Sequence, residues 1–345
     1  MSKKLSIYGM DQQTMTKVVR KLNKDVMANR IGLQYLPYED FPTEEITWDI
    51  VRSVSPIANF RAVDGEAELV GRAAFDRSYA DVVSIAQKER FNASDLRKIR
   101  EAGELPTVDG KVSLVAQMGQ KAKRKVRQAI DRLNLAVNNR LEWMQINALQ
   151  GSISFSGAVK FDVDYGIPGD QNNLTPTYNW DDTDNSTPLK DLQDWQLKVQ
   201  ENSGVLLDTV IMSRKALNYI KDSASLTTVM KYSNPLLSIK RAREVIEDNT
   251  GLKIVIYDAT YSDKDGTTFT RFLANNKIIM LASQDSLPDG IGKTARVGHP
   301  LANYKPGHYT WQETVKDPYG LEVGVGLDAF PMIQHPEALL NATVF

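Results

Sequence analysis

The sequence predicts an α+β protein built around one unusually long helix. Three observations carry that reading: an apolar stripe that holds helical spacing over about 37 residues, an alternation of strand-like and helix-like segments across 205–294, and a tail, 307–345, that reads mainly as strand. The helix runs from Ser113 to Leu149 and stops before Gly151. Val115, Met118, Ala122, Val126, Ala129, Leu133, Val137, Leu141, Met144 and Ala148 follow one another at steps of three or four. Their mean step of about 3.7 matches a straight α-helix and exceeds the 3.5 of a left-handed coiled coil. Such a rod extends roughly 55 Å and should pack along one face, as a spine.

The flanking elements follow in order. Residues 11–30 have helical spacing through Met15, Val18, Val19 and Leu22, and Pro37 and Pro42 then break any helix. Residues 1–44 therefore read as an extended arm that can hardly bury itself except on a neighbour. In 45–80, Ile46, Trp48 and Ile50 alternate with polar residues and Asp64-Gly65 is a hairpin dipeptide. Charges at Arg61, Asp64, Glu66, Glu68 and Arg72 make this a projecting hairpin and not a core element. Residues 93–102 read as a short polar helix ending at Gly103.

After Gly151 come short strands and an acidic loop over Asn179–Asn185. Thr187-Pro188 then caps a helix with its stripe at Leu189, Leu192, Trp195 and Val199. Val205–Met212 is strand-like, Arg214–Lys221 is helical, and a further helix starts at Asn234-Pro235 and stops at Gly251. Lys253–Tyr257 and Lys277–Ala282 read as strands around a turn at Asp265-Gly266. In the tail, Asp317-Pro318-Tyr319-Gly320 fits type I turn chemistry. It should set Tyr309, Trp311 and Val315 opposite Leu321, Val323, Val325 and Leu327 on one apolar face, packed on the spine. Gln312, Thr314, Lys316, Glu322 and Asp328 would occupy the other face.

Composition bounds the function. The chain has 345 residues, 42 Lys+Arg and 43 Asp+Glu, a net charge of -1 and no cysteine. That length suits about two domains. A protein built to grip nucleic acid usually carries a strong positive excess, which is absent. Disulfides and thiolate metal sites are excluded. The start, MSKKLSIYGMDQQ, has no apolar run of the secretory type, and the longest apolar stretch, Ile278–Ala282, is far short of a membrane span.

Chemistry is sparse. His299, His308 and His335 each adjoin a Gly or Pro and lack metal-ligand spacing. Phosphate-binding glycine loops and nucleophile elbows are absent. The loops holding Asp181, Asp182 and Asp184, and Asp263 and Asp265, lack the spacing of a calcium loop and read as solvated turns. Lys121, Lys123, Arg124, Lys125 and Arg127 lie within seven residues of the spine. Without interleaved aromatics they read as a solvated or partner-paired face.

Several stretches resemble a known family. Val54-Ser55-Pro56-Ile57 opens the projecting loop, and Leu149-Gln150-Gly151 runs from the spine into strands at Ala158–Tyr165. Asp208–Met212 followed by Lys215-Ala216-Leu217 is similar to an entry into a second domain. The tail runs from Trp311 through Asp317-Pro318 to Pro331-Met332-Ile333, Pro336 and Ala338-Leu339. In order and spacing these resemble the lambda-type major capsid proteins of tailed bacteriophages, the phage major capsid protein E family.

The resemblance implies an α+β, HK-ninety-seven-like phage capsid fold. It divides into an N-terminal arm (1–44), an E-loop (45–90), a P-domain (91–204 plus 295–345, with the spine at 113–149) and an A-domain (205–294). It implies a virion capsid subunit that assembles with itself into hexamers and pentamers in the host cytoplasm. Scaffolding and portal proteins, and in some shells a decoration protein, would be its partners, and double-stranded DNA would be enclosed without sequence-specific binding. No membrane, cofactor, metal or catalytic residue is implied. Asp64 and Gly65, at the hairpin tip, and Asp317 and Pro318, at a tail turn near a three-fold contact, are the expected assembly contacts. Two other readings stand beside it: an encapsulin-like nanocompartment shell, and a metal-dependent hydrolase using Asp182.

Overall fold

The structure, a computed structural model, describes residues 12–27, 30–51, 75–92, 114–157, 160–230, 239–262, 266–283, 286–287, 289–317 and 320–345. Helices α1 (Gln12–Met27) and α2 (Ile31–Tyr35) lead into β1 (Tyr38–Phe41). A ribbon of β2 (Glu45–Val51) and β3 (Phe75–Asp81) is followed by β4 (Val83–Asn92), the spine α3 (Leu114–Leu149) and a second ribbon of β5 (Ser152–Ser156) and β6 (Lys160–Asp164). Then come α4 (Pro188–Ser203), β7 (Thr209–Met212), α5 (Arg214–Asp222), α6 (Ala224–Met230), α7 (Ile239–Thr250) and β8 (Lys253–Ile256). The chain ends through β9 (Thr260–Ser262), β10 (Phe269–Arg271), β11 (Lys277–Leu281), β12 (Gly292–Val297), β13 (Tyr309–Val315), β14 (Gly320–Ile333) and β15 (Leu339–Thr343).

The main core lies between α3 and a five-stranded sheet whose centre is β14. One edge of β14 pairs with β4 from Gly320 to Ala329. The other pairs with β13 from Gly320 to Gly326 and with β12 from Asp328 to Ile333. Leu321, Val323, Val325 and Leu327 are buried, as are Val126, Ala129, Leu133, Val137, Leu141, Met144 and Ala148 of the spine. The predicted stripe is thus the packed face from Val126 onward; the side chains of Val115, Met118 and Ala122 lie outside the described residues. From Ile130 onward α3 is buried on more than one side, through Ile130, Ile146 and Leu149. It is not the rod packed along one face that the spacing implied.

A second core surrounds the sheet β15-β11-β7-β8. β7 and β8 run parallel, and the crossover between them carries α5, α6 and α7. The sheet is apolar on both faces. Val210, Met212, Ile278 and Met280 point into the helical core, while Ile211, Ile279 and Leu281 join the spine's core. This alternation explains the uninterrupted run Ile278–Leu281: both sides of the strand are covered.

Several expectations are corrected. Residues 12–41 are not an arm that stays unburied on its own chain. Met15 and Val19 of α1 are 2% and 0% exposed, α1 packs on β13, and β1 pairs in parallel with β12, Tyr38 opposite Thr294. The ribbon forms as predicted, with Glu45 opposite Asp81 and Val51 opposite Phe75. Its root, however, is core: Ile46 and Trp48 are buried, and the Trp48 ring lies 6.2 Å from Tyr165 and 6.4 Å from Phe330. β8 and β11 do not flank one turn, because β7 lies between them; the turn at Gly266 joins β9 to β10. Pro188 starts α4 as expected, but the Thr187 side chain makes no capping bond. The helix predicted at 93–102 and the Asn234-Pro235 start lie outside the described residues.

The tail hairpin pairs Val315 with Gly320, so its loop is 316–319. An even-length loop sets odd positions opposite even ones, and paired residues share a face. Leu321, Val323 and Val325 therefore stand beside Thr314, Gln312 and Thr310. Trp311 and Tyr309 lie on the other face, over Gly324 and Gly326, where a Cβ would overlap their rings. His299 stacks on Tyr309 at 4.0 Å, extending the aromatic row.

Leu141, fully buried in the second half of the spine, tests this core. Leu141→Ala should cost about 2–5 kcal/mol through lost burial and the cavity left behind. Denaturant unfolding measures it, and an unchanged midpoint would mean that α3 is not seated on β14.

Candidate assembly surfaces

The β2–β3 ribbon has an unusual anchorage. β3 and β4 are a single extended run interrupted at Val82, whose N–H donates to the Glu44 carbonyl at 3.0 Å. Before Val82 the run pairs with β2; after it, the run pairs for ten residues with β14. The ribbon is therefore a continuation of a central-sheet strand. Away from its buried root it is stabilised by surface contacts such as Arg77–Asp49, 3.2 Å, while Tyr79 is 83% exposed. Exposed pairs of this kind contribute little.

Of the four predicted contact residues, one is described. Asp317 is exposed beyond the end of β13, in the loop that closes the β13–β14 hairpin. Asp64, Gly65 and Pro318 lie outside the described residues.

Sequence reasoning missed a second stripe on the spine. Asn134, Asn138, Glu142 and Gln145 are all buried and form a polar row that clasps the N-terminal segment. Asn134 and Asn138 each donate through Nδ2 to Asn23 Oδ1 of α1, both at 2.7 Å. Glu142 Oε1 accepts from the Gly32 N–H at 3.2 Å and from the Tyr257 hydroxyl at 2.8 Å, tying α2 and the end of β8 to the spine. Gln145 donates to Thr294 Oγ1 at 2.8 Å beside β1. At Gly32 a Cβ would collide with Gln145 and Glu142, so glycine is required there. The signal was present in the 4-4-3 spacing of these residues, but that spacing is equally that of a solvated face.

The row governs two titrations. Burial raises the Glu142 pKa, opposed by its bonds from Tyr257 and Gly32. His308 Nε2 lies 2.8 Å from Asn138 Oδ1, and since Asn138 Nδ2 is turned to Asn23, the imidazole is the donor. Burial, reinforced by the nearby Arg296 and Arg20, lowers its pKa to about 3.

The polar loops are internally arranged. Asp182 accepts from the Asn185 backbone N–H and from its Nδ2, the latter at 2.9 Å. No group of three or more His, Cys, Asp or Glu side chains is placed to hold a metal among the described residues. Among them, too, no helix is long and apolar enough to cross a membrane.

The comparisons decide what this architecture is. The sequence profile of the phage major capsid protein E family matches residues 11–344. The chain belongs to that family. It is a structural shell protein of the phage virion, and its fold is the HK-ninety-seven-like fold of phage capsid proteins. The match favours the phage capsid over the nanocompartment reading, and the family is one of capsid shells and not of enzymes. A protein assigned as a prophage capsid protein, from Escherichia coli CFT073, is similar in structure with a TM-score of 0.59 and 16% identity. The alignment covers 95% of this chain and 99% of that one. A phage-related protein from Bordetella bronchiseptica RB50 has a TM-score of 0.56 and 15% identity, with 95% of each chain covered. No match is found among curated proteins.

The His308 environment gives a pH prediction. Because its folded pKa lies below the unfolded value, the unfolded chain binds the extra proton. The stability it confers is complete above roughly pH 6.5 and is lost as pH falls towards 3, by up to about 1.4 kcal/mol per unit. Glu142, with a raised pKa, acts in the opposite sense, so the informative quantity is a difference. His308→Gln should melt with a shallower acid dependence than the parent; parallel pH profiles would mean that His308 is not buried neutral.

Proposed function

We propose that this capsid protein is the repeating subunit of a closed icosahedral or prolate head of a tailed phage. It assembles in the host cytoplasm as hexamers and pentamers around double-stranded DNA, with scaffolding and portal proteins as partners. The observation that carries the reading is the family match over nearly the whole chain. The ribbon supports it. A two-stranded excursion with a buried root and an exposed shaft has little apolar surface of its own, and it lowers free energy by lying on a neighbour. A net charge of -1 suits a wall that must not trap the DNA moving past it. In this reading 45–90 is the E-loop, 91–204 with 295–345 is the P-domain, 205–294 is the A-domain, and Asp64, Gly65, Asp317 and Pro318 sit at contacts between subunits.

Purified protein, alone and with the products of neighbouring viral genes, should form rings, sheets or closed particles in sedimentation and electron micrographs. Particles from infected cells should contain nuclease-protected DNA. A persistent monomer under all these conditions would overturn the proposal.

Shortening the ribbon between Arg61 and Arg72 should leave the circular dichroism of the subunit intact and abolish large species. Collapse of the dichroism along with assembly would place that segment in the core.

A further inference from the structure

Two patches on this chain are opposite in charge, and each holds charged side chains that have no ion pair among the described residues. The first is a recess of about 470 Å³ walled by α1, β1, β12 and the chain entering β13. Into it face Arg20, Arg296, Tyr38 and Asn23. Arg20 donates to the carbonyls of His308 and Lys305, at 2.9 and 3.0 Å, and has no ion pair among the described residues. Arg296 bonds Asp40 at 2.6 Å and lies 4.2 Å over the Tyr38 ring. The recess thus sets two guanidiniums against one carboxylate, and Asp40 is itself exposed.

The Tyr38 hydroxyl and Asn23 Nδ2 are buried there without a hydrogen-bond partner among the described residues. Asn23 is 7% exposed, and its Oδ1 already receives Asn134 and Asn138, so Nδ2 is the unused donor. Guanidinium, phenol and amide N–H together form a donor set that fits a carboxylate.

The second patch is the loop Asn179–Asn185. Asp181 and Asp184 are exposed and have no ion pair among the described residues. The loop is held firmly. Trp180 is fully buried, its N–H donates to Val344 O at 2.7 Å and its indole N–H to Asp191 at 2.9 Å, and the Ala224 N–H donates to Thr183 O at 2.8 Å. Carboxylates on a fixed frame lose little entropy on docking. Trp180 belongs to the second core, whereas the recess is built on the first. A contact between them uses two different patches and is head-to-tail, the kind that closes rings.

We infer that the Arg20–Arg296 recess is a carboxylate-binding site filled by Asp181 or Asp184 of a second copy of this chain. A concave recess of this size admits a side chain, whereas a nucleic-acid backbone requires an extended positive track. The inference rests on the shell-subunit reading.

The absence of cysteine allows a direct test. Asp184→Cys combined with Lys305→Cys, at the rim of the recess, should give a ladder of disulfide-linked multimers when assembled particles are oxidised. Each single variant should give none. Separately, Asp181→Lys with Asp184→Lys, at exposed positions, should leave the melting curve unchanged and lower the yield of large species at least tenfold. A wild type that assembles, with a paired variant that assembles without a ladder, would overturn this site alone. So would a lysine variant that assembles at the wild-type level, or one that assembles normally and loses only packaged nucleic acid. Failure of the wild type itself to assemble would remove the shell reading, and this site with it.

Discussion

The seam between α3 and β14 is the contact on which the other elements depend. β14 is hydrogen-bonded along both edges, so β4, β12 and β13 take their positions from it, and β1 takes its position from β12. The apolar side chains of β14 rest on the spine stripe. Each fully buried Leu, Val or Met of that stripe contributes roughly 1.5–3 kcal/mol relative to exposure. The ribbon root, the tail and the N-terminal segment are all attached to this pair. A shift of α3 along β14 would move every one of them.

The polar row adds what the apolar seam lacks. Methyl and methylene contacts are non-directional, and a helix seated by them alone can slide with modest loss. Asn134, Asn138, Glu142 and Gln145 each meet a specific donor or acceptor on α1, α2, β12 or the end of β8. A slip of one turn would bury these groups unpaired, at about 1–3 kcal/mol each. The row therefore fixes the register in which the N-terminal segment lies on the spine. Through Tyr257 it also fixes where the second core joins the first.

Much of this was legible in the sequence. The spine stripe, the ribbon base, α4 and the buried strand Ile278–Leu281 announce themselves through local periodicity, which packing then used directly. What stayed hidden depended on distant partners. The polar row has the spacing of a solvated face, and its partner Asn23 lies 111 residues before Asn134. β1 is four residues long and pairs with a strand more than 250 positions away, so nothing local distinguishes it from an arm. The tail faces were misassigned by parity: glycines at Gly324 and Gly326 look like gaps in an apolar strand, whereas they make room for Trp311 and Tyr309. Among the candidate contacts, Asp317 was placed at a loop correctly because turn chemistry is local.

The continuity of β3 with β4 links the outer surface to this core. β4 follows β14 for ten residues, roughly 33 Å at strand spacing, and its hydrogen bonds are loaded in parallel along that length. A force applied to the ribbon must either break at Val82 or act on the whole β4–β14 ladder. Val82 is held by one backbone bond to Glu44 and is packed against the main core, so bending there exposes apolar surface. Bending is resisted locally by burial and shearing is resisted by the ladder. The β2–β3 ribbon can therefore have an exposed shaft and still transmit a load to the spine.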